Sequence, residues 1–389
     1  LCFVLPMASG DNVTVTVLNL AGEQVASWAT FLGNSVGGLK HYIAQTGGPP
    51  PICQVLTLED RPLTNEETFQ SLECHGGRIT LNLLVTKESC VRKLYEVFHP
   101  TGALNRDATI VETISKDLFS LCELTSEVFL SQGALLEVAA PARIFGNISG
   151  NFPQLCDIFA KCGDVSMTRY VGLGSYGNRG LQGLETLCLL FVYKCLFPDN
   201  LILLRGRHEC GSVSRIYGLY DECKRRAASD GMKWWRSFVQ VFNHMPFACV
   251  VSDRILCVAS GLSMELPSLK ALNDIHRPTD VPDQGFLCDL LWAEPDPKLR
   301  GWSDDPRQGN CFGYDVAEKF LDDNGYDMMC RSSVVDEGYE YGGDGKLVTL
   351  ISVADYAGEF NNKGAVMIVD ESCQVSFSIT ERLKPDKPK

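Results

Sequence analysis

The chain has 389 residues, 45% of them hydrophobic and 21% charged, which is the make-up of a globular protein too long for one ordinary core, so two domains are expected. A net charge of −13 argues against nucleic acid or an anionic membrane surface as the main partner, and no apolar run reaches the ~20 residues a spanning helix needs. Seventeen cysteines without a CxxC pair read as reduced core thiols of a cytosolic or nuclear protein.

Residues 1–6 are too short, and lack the charged flank, for a secretory signal, and Met7-Ala8-Ser9-Gly10 is expected to be the true start. Val13-Thr14-Val15-Thr16-Val17-Leu18 alternates with period two, and Gly22 marks a turn into a second strand around residues 25–28. A helix is predicted over Val36–Gln45, with Val36, Leu39 and Ile43 spaced for one face. After the break at 47–51 come Val55-Leu56-Thr57-Leu58, then Leu63, Phe69 and Leu72, and a last alternating strand Ile79-Thr80-Leu81-Asn82-Leu83. This order resembles a ubiquitin-like β-grasp (α+β) domain, placed at residues 7–87. Two departures follow. The chain runs on through Val85-Thr86-Lys87 without the Gly-Gly that conjugation needs, and Thr57 falls where ubiquitin shows the isoleucine that many receptors bind. The resemblance therefore implies a docking module or a structural cap rather than a tag.

Residues 88–106 read as a linker with a short helix at 91–98. A longer helix opens on Thr109-x-x-Glu112, a capping box, and carries Leu118, Leu121, Leu124 and Val128 as a core stripe. Apolar strands at Ala142–Phe145, 170–173 and 201–204 then alternate with helical stretches at 153–161 and 183–197, a βαβαβ pattern. Each strand runs into a Gly-containing loop: 146–150, 174–180 and 206–209. Sites in such sheets assemble beyond the carboxyl ends of the strands, so three loops are expected to converge. Residues 381–389, with three lysines and two prolines, read as a disordered tail.

The residues in these loops carry a resemblance. Arg205-Gly206-Arg207-His208-Glu209 is followed by Ser214-Arg215-Ile216-Tyr217-Gly218 and Tyr220-Asp221-Glu222-Cys223-Lys224-Arg225-Arg226. Later come the run His276-Arg277-Pro278-Thr279-Asp280-Val281-Pro282-Asp283-Gln284-Gly285 and the run Cys288-Asp289-Leu290-Leu291-Trp292. Together they resemble the type-1 Ser/Thr phosphoprotein phosphatases, from about residue 91 to residue 380. The resemblance implies an α/β calcineurin-like metallophosphatase fold over residues 107–380: a two-sheet β-sandwich flanked by helices.

Members of that family hold two metal ions with two Asp, one Asn and three His, and the ion pair generates a hydroxide nucleophile and clamps the phosphoryl oxygens. The resemblance maps those six positions onto Asn147, Ser149, Ser175, Arg207, Ala259 and Ser333. Asn178 stands where an Asp orients the catalytic His, and His208 matches that His. None of the six keeps an ionisable donor, and a guanidinium has no lone pair to give a metal. Unit charges ~4 Å apart at an effective dielectric of ~20 interact by about 4 kcal/mol, so Arg207 beside a divalent ion costs on the order of 8 kcal/mol. The expectation is an empty site, no catalytic residue, no cofactor, and His208 and Asn178 as vestiges.

Three functional readings remain open at this point. The first is an inactive pseudophosphatase acting as a scaffold or adaptor between proteins, in the cytoplasm or the nucleus. The second is a module for phosphopeptides or other anions, using Arg179, Arg207 and Arg307, with Tyr356 at the cleft mouth. Against it stands the structural alternative that these arginines pair with internal carboxylates: Glu209, Asp289 or Glu294, the last of which occupies the place of a usual Asp. The third is an active Ser/Thr phosphatase with a non-standard site. The resemblance also implies a groove for a short Val-x-Phe peptide, mapped onto Ile255, Met328, Tyr341, Cys373, Val375 and Phe377, with Asp327 and Glu371 as acidic flanks.

Overall fold

The computed structural model describes residues 12–18, 23–46, 54–59, 61–72, 78–85, 91, 94–95, 109–266, 268–304 and 310–382. The chain divides into two compact units, residues 1–93 and 94–389.

In the first unit, strands β1 (Asn12–Leu18), β2 (Gln24–Phe31), β3 (Gln54–Leu58), β4 (Arg61–Pro62) and β5 (Arg78–Val85) form one mixed sheet in the order β2-β1-β5-β3-β4. Strands β1 and β5 run parallel at its centre, and β1 and β2 are antiparallel. The alternation seen in the sequence puts Val13, Val15 and Val17 on the buried face, where helix α1 (Val36–Gln45) delivers Val36, Leu39 and Ile43. This is the β-grasp arrangement. Trp28 extends that core by stacking on Tyr42 at 5.4 Å and meeting Phe69 edge-on at 6.0 Å.

The second unit is a sandwich of two mixed sheets. The first contains β6 (Leu135–Val138), β10 (Ala248–Val251), β11 (Ile255–Val258), β15 (Met328–Ser332), β16 (Tyr339–Gly342) and β17 (Leu347–Leu350), ordered β16-β17-β15-β11-β10-β6. The second contains β7 (Ala142–Phe145), β8 (Tyr170–Gly172), β9 (Leu201–Leu203), β18 (Gly364–Val369) and β19 (Val375–Thr380), ordered β19-β18-β7-β8-β9. A small third sheet joins β12 (Glu294–Pro295), β13 (Trp302–Asp304) and β14 (Asn310–Phe312).

Period-two alternation explains the layering. On β11, Ile255 and Cys257 enter the core between the sheets, together with Ile144, Val171, Ile202, Val348 and Met367. Leu256 and Val258 face the other way, into a second core with Leu290, Leu291, Ala317 and Leu321 from covering helices. The outer face of the other sheet is covered by α3 (Phe152–Cys162) and α4 (Gly183–Leu196), which follow α2 (Thr109–Leu130). Phe145 and Tyr170 from the strands meet Phe159 of α3 edge-on, at 6.4 and 5.1 Å. Every residue of α4 is buried, including Lys194, whose ammonium donates to Gln132 and to the carbonyls of Pro198 and Leu201 at 2.7–2.9 Å. Asn151 caps α3 by accepting from the Gln154 N–H, with Pro153 in the first turn, where no N–H is needed.

The βαβαβ segment thus forms as three parallel strands, β7, β8 and β9. No helix among the described residues is long and apolar enough to cross a membrane. Of the short helix predicted at 91–98, only Val91, Leu94 and Tyr95 are described, and all three are helical; the tail from 383 onward lies outside the described residues, as do the side chains of the expected capping box at Thr109 and Glu112.

Candidate functional site

Five strand ends build one cleft. The loops after β7, β8, β9, β11 and β15 meet, and a cavity among them is lined by Asn147, Ser175, Arg207, Ala259, Ser260, Leu291, Ser332 and Ser333. Five of the six expected metal-ligand positions therefore share one wall-to-wall space. The sixth, Ser149, is buried beside it and donates its hydroxyl to Asn147 Oδ1. The free space is about 10 Å³, room for roughly one water molecule.

Backbone contacts hold these loops at close quarters. Ser149 N–H and Ile148 N–H donate to the Ser175 carbonyl at 3.0 and 3.2 Å, and Gly150 N–H donates to that of Tyr176 at 2.6 Å. Gly174 has φ +97°, and a Cβ there would lie 2.4 Å from the Gly206 Cα, so only glycine lets the second and third loops touch. Ser149, Ser175 and Arg179 also have positive φ (+49°, +63° and +73°), a conformation that costs a non-glycine residue on the order of 1 kcal/mol or more.

Glu209 was one expected partner for the arginines, and the structure corrects this. Its buried carboxylate accepts the N–H groups of Ser175, Tyr176 and Gly206 at 2.7, 2.9 and 3.1 Å, tying the second loop to the third. Burial still pushes the carboxyl above its usual range, against the pull of those three donors. Asp289, the second expected partner, accepts from the Ser263 hydroxyl at 2.6 Å. The carboxylate that meets Arg207 is Glu294, the third of the expected candidates, with Oε1 3.3 Å from Nη1. Glu294 Oε2 takes Arg331 Nη2 in a second ion pair. Arg331 is buried and also donates through Nε to the Ser260 carbonyl. One carboxylate thus serves two guanidiniums.

His208 is buried and lies parallel to the Tyr217 ring at 5.7 Å. Its Nδ1 has no hydrogen-bond partner among the described residues. Asn178, which takes the place of an orienting Asp, donates to the backbone carbonyl of His208 at 3.0 Å and accepts from Leu219 N–H at 3.2 Å. It anchors the loop and not the imidazole. Burial, with the charges of Arg207 and Arg179, pulls the His208 pKa down to about 3. Arg179 is exposed, its guanidinium 4.4 Å from the Tyr217 centroid and 5.9 Å from that of Tyr356. It has no carboxylate partner among the described residues. Arg307 lies outside them.

These residues do not fit a dinuclear metal centre. The cleft offers amide and hydroxyl groups, an alanine methyl and a guanidinium, and among the described residues no three His, Cys, Asp or Glu side chains come together as a metal-holding group.

Residues mapped to the expected peptide groove also lie together, against the core between the two sheets. Ile255 pairs with Met328 across β11 and β15, and both join Cys373, Val375 and Phe377 in the core between the sheets. Tyr341 meets the Phe377 ring edge-on at 5.8 Å. Tyr339, which the sequence comparison did not single out, stacks flat on Phe377 at 3.7 Å. Asp327 is ion-paired with Arg254, and Glu371 is exposed in the turn before β19.

With this geometry in view, comparison with known proteins is informative. Residues 140–332 match the calcineurin-like phosphoesterase family model, so the chain contains a calcineurin-like phosphoesterase domain. Among solved structures, a protein serine/threonine phosphatase from Saccharomyces cerevisiae, described as similar to human phosphatase PP5, superposes with a TM-score of 0.66 at 24% identity. That match covers 78% of this chain and 98% of the yeast protein. A cold-active protein-tyrosine phosphatase from a psychrophilic Shewanella species gives 0.48 at 12% identity, over 65% and 84% of the two chains. The yeast match establishes the phosphatase-like fold, and the Shewanella match carries no further argument.

Proposed function

We propose that this chain is a catalytically inactive phosphatase-like protein that serves as a scaffold or adaptor for other proteins. The observation that carries the reading is Arg207: its side chain lines the cleft with Asn147, Ser175, Ala259 and Ser333, and it is ion-paired to Glu294. A permanent cation in that position repels a divalent ion, and no ionisable donor among the matched positions offsets it. A general acid needs a proton at working pH, and a His208 held at about 3 does not carry one at neutrality.

Elemental analysis of the purified chain is expected to find no stoichiometric Mn, Fe or Zn, phosphoserine peptides are expected to remain intact, and chelator is expected to leave the melting temperature unchanged. About two metal ions per chain together with turnover would instead establish the active-phosphatase reading. Partner binding is assigned to the groove around Ile255, Met328 and Phe377, and to the β-grasp unit. The Arg254–Asp327 pair leaves Glu371 as the acidic flank for a basic peptide end.

A second reading, an oxyanion or phosphopeptide module, draws on one specific observation: exposed Arg179, held between aromatic rings, has no described carboxylate partner. Titration with a phosphoserine peptide separates the two, since saturable binding that is lost in Arg179→Ala favours the module.

A further inference from the structure

Two guanidiniums and one carboxylate make an unbalanced set. Arg331 is the tightly held arm, buried and fixed by Ser260 and Glu294. Arg207 is the loose arm: its 3.3 Å contact with Glu294 exceeds the ~2.7–2.9 Å of a strong charge-assisted bond, and 28% of its side chain is exposed. Among the described residues, no other carboxylate is ion-paired with Arg207 or Arg331. Glu209 is taken up by three backbone N–H groups, Asp289 by Ser263, and the other titratable neighbours are cationic Arg179, buried His208 and the Tyr314 phenol. Neutral polar residues line the space, Ser175, Ser332, Ser333 and Asn147, while the Ser260 hydroxyl is committed to the Ala293 carbonyl at 2.9 Å.

We infer that Glu294 is a built-in counter-ion, its two oxygens bridging Arg207 and Arg331 as an external oxyanion would, so that the cleft holds a latent oxyanion site plugged by the chain's own side chain. The ligand class is a small anion with at least two oxygens, a carboxylate or a phosphate. The inference rests on the metal-free reading of the cleft, and it explains why Arg207 is tolerated there: the bridge fixes a guanidinium that would otherwise stand unpaired against Arg331.

The test uses the full chain carrying Glu294→Ala, with acetate and inorganic phosphate as separate probes. Glu294→Ala should melt below the unmodified chain, and one or both anions should raise its melting point saturably, with at least about tenfold tighter binding than the unmodified chain shows. The anion that acts identifies the carboxylate-like or phosphate-like source. Arg207→Gln, which leaves Glu294 and Arg331 as a one-to-one pair, should melt close to the unmodified chain. Three results each overturn the inference: a folded Glu294→Ala chain that ignores both anions, an unmodified chain that binds them as tightly, or an Arg207→Gln chain as destabilised as Glu294→Ala. The Arg207→Gln comparison decides even where Glu294→Ala does not fold. Metal content of the same preparations keeps the outcomes apart: bound metal overturns the proposed function, whereas metal-free protein without anion rescue overturns only the latent site.

Discussion

His208 lies in the field of Arg207 and Arg179, with one ring nitrogen buried and without a hydrogen-bond partner among the described residues. Burial first, and the two guanidiniums second, bring its pKa from 6.5 to about 3. Because the folded value lies below the unfolded one, the unfolded chain takes up the proton first. The stabilising contribution of the neutral ring is complete above about pH 6.5 and is lost as pH falls toward 3, at no more than about 1.4 kcal/mol per pH unit. His208→Asn removes that titration. Denaturant unfolding at pH 7.5 and 4.5 is expected to show the unmodified chain losing about 2–3 kcal/mol more than the variant. Equal losses in both chains would mean that His208 reaches a proton-stabilising partner, and the vestigial role assigned to it would fall.

At the scale of elements, the loops matter more than the strands they follow. The contact of Gly174 with Gly206 brings the second loop onto the third, and Glu209 then stitches the two through Ser175, Tyr176 and Gly206. Gly174→Ala combines a positive-φ penalty with a backbone clash and is expected to cost at least about 3 kcal/mol, read as a fall in melting temperature. A cost below about 1 kcal/mol would mean that the loops are not in contact. Much of this region was legible in the sequence. The strands at Ala142, Tyr170 and Leu201 are short apolar runs ending in glycine, and α1 shows its buried face in the spacing of Val36, Leu39 and Ile43. The matched loop residues also come to one cleft. What the sequence could not supply was pairing between distant side chains. Glu294 is 87 residues from Arg207 and 37 from Arg331, and no local pattern links them. Glu294 was legible only as one of three candidate carboxylates, from its place where an aspartate usually stands, and nothing local chose it over Glu209 or Asp289. The positive φ of Ser149, Ser175 and Arg179 was equally hidden, because none of these residue types advertises that conformation.

Over the whole molecule, a sandwich that resembles the metallophosphatases forms around a cleft lined by a guanidinium, amides and hydroxyls, and on the proposed reading charge keeps metal out of it. With Asn147, Ser149, Ser175 and Ala259 at the matched positions in place of carboxylates and imidazoles, no group there needs a metal to neutralise it, and the cleft holds two guanidiniums, Arg207 and Arg331, on one shared carboxylate, Glu294. This makes the route back testable. Asn147→Asp, Ser149→His, Ser175→Asp and Ala259→His together rebuild four matched donors, and the backbone suits them: Asp and His tolerate the positive φ that Ser175 and Ser149 already hold. With Arg207 retained, a metal ion ~4 Å away still meets a repulsion on the order of 8 kcal/mol at an effective dielectric of ~20. The fourfold variant is therefore expected to take up no stoichiometric Mn or Zn, and adding Arg207→Asn is expected to restore uptake. Titration calorimetry with elemental analysis reads both. Tight metal binding by the fourfold variant with Arg207 in place would show that the guanidinium can swing clear of the cleft, and the exclusion of metal would then rest on the missing donors alone.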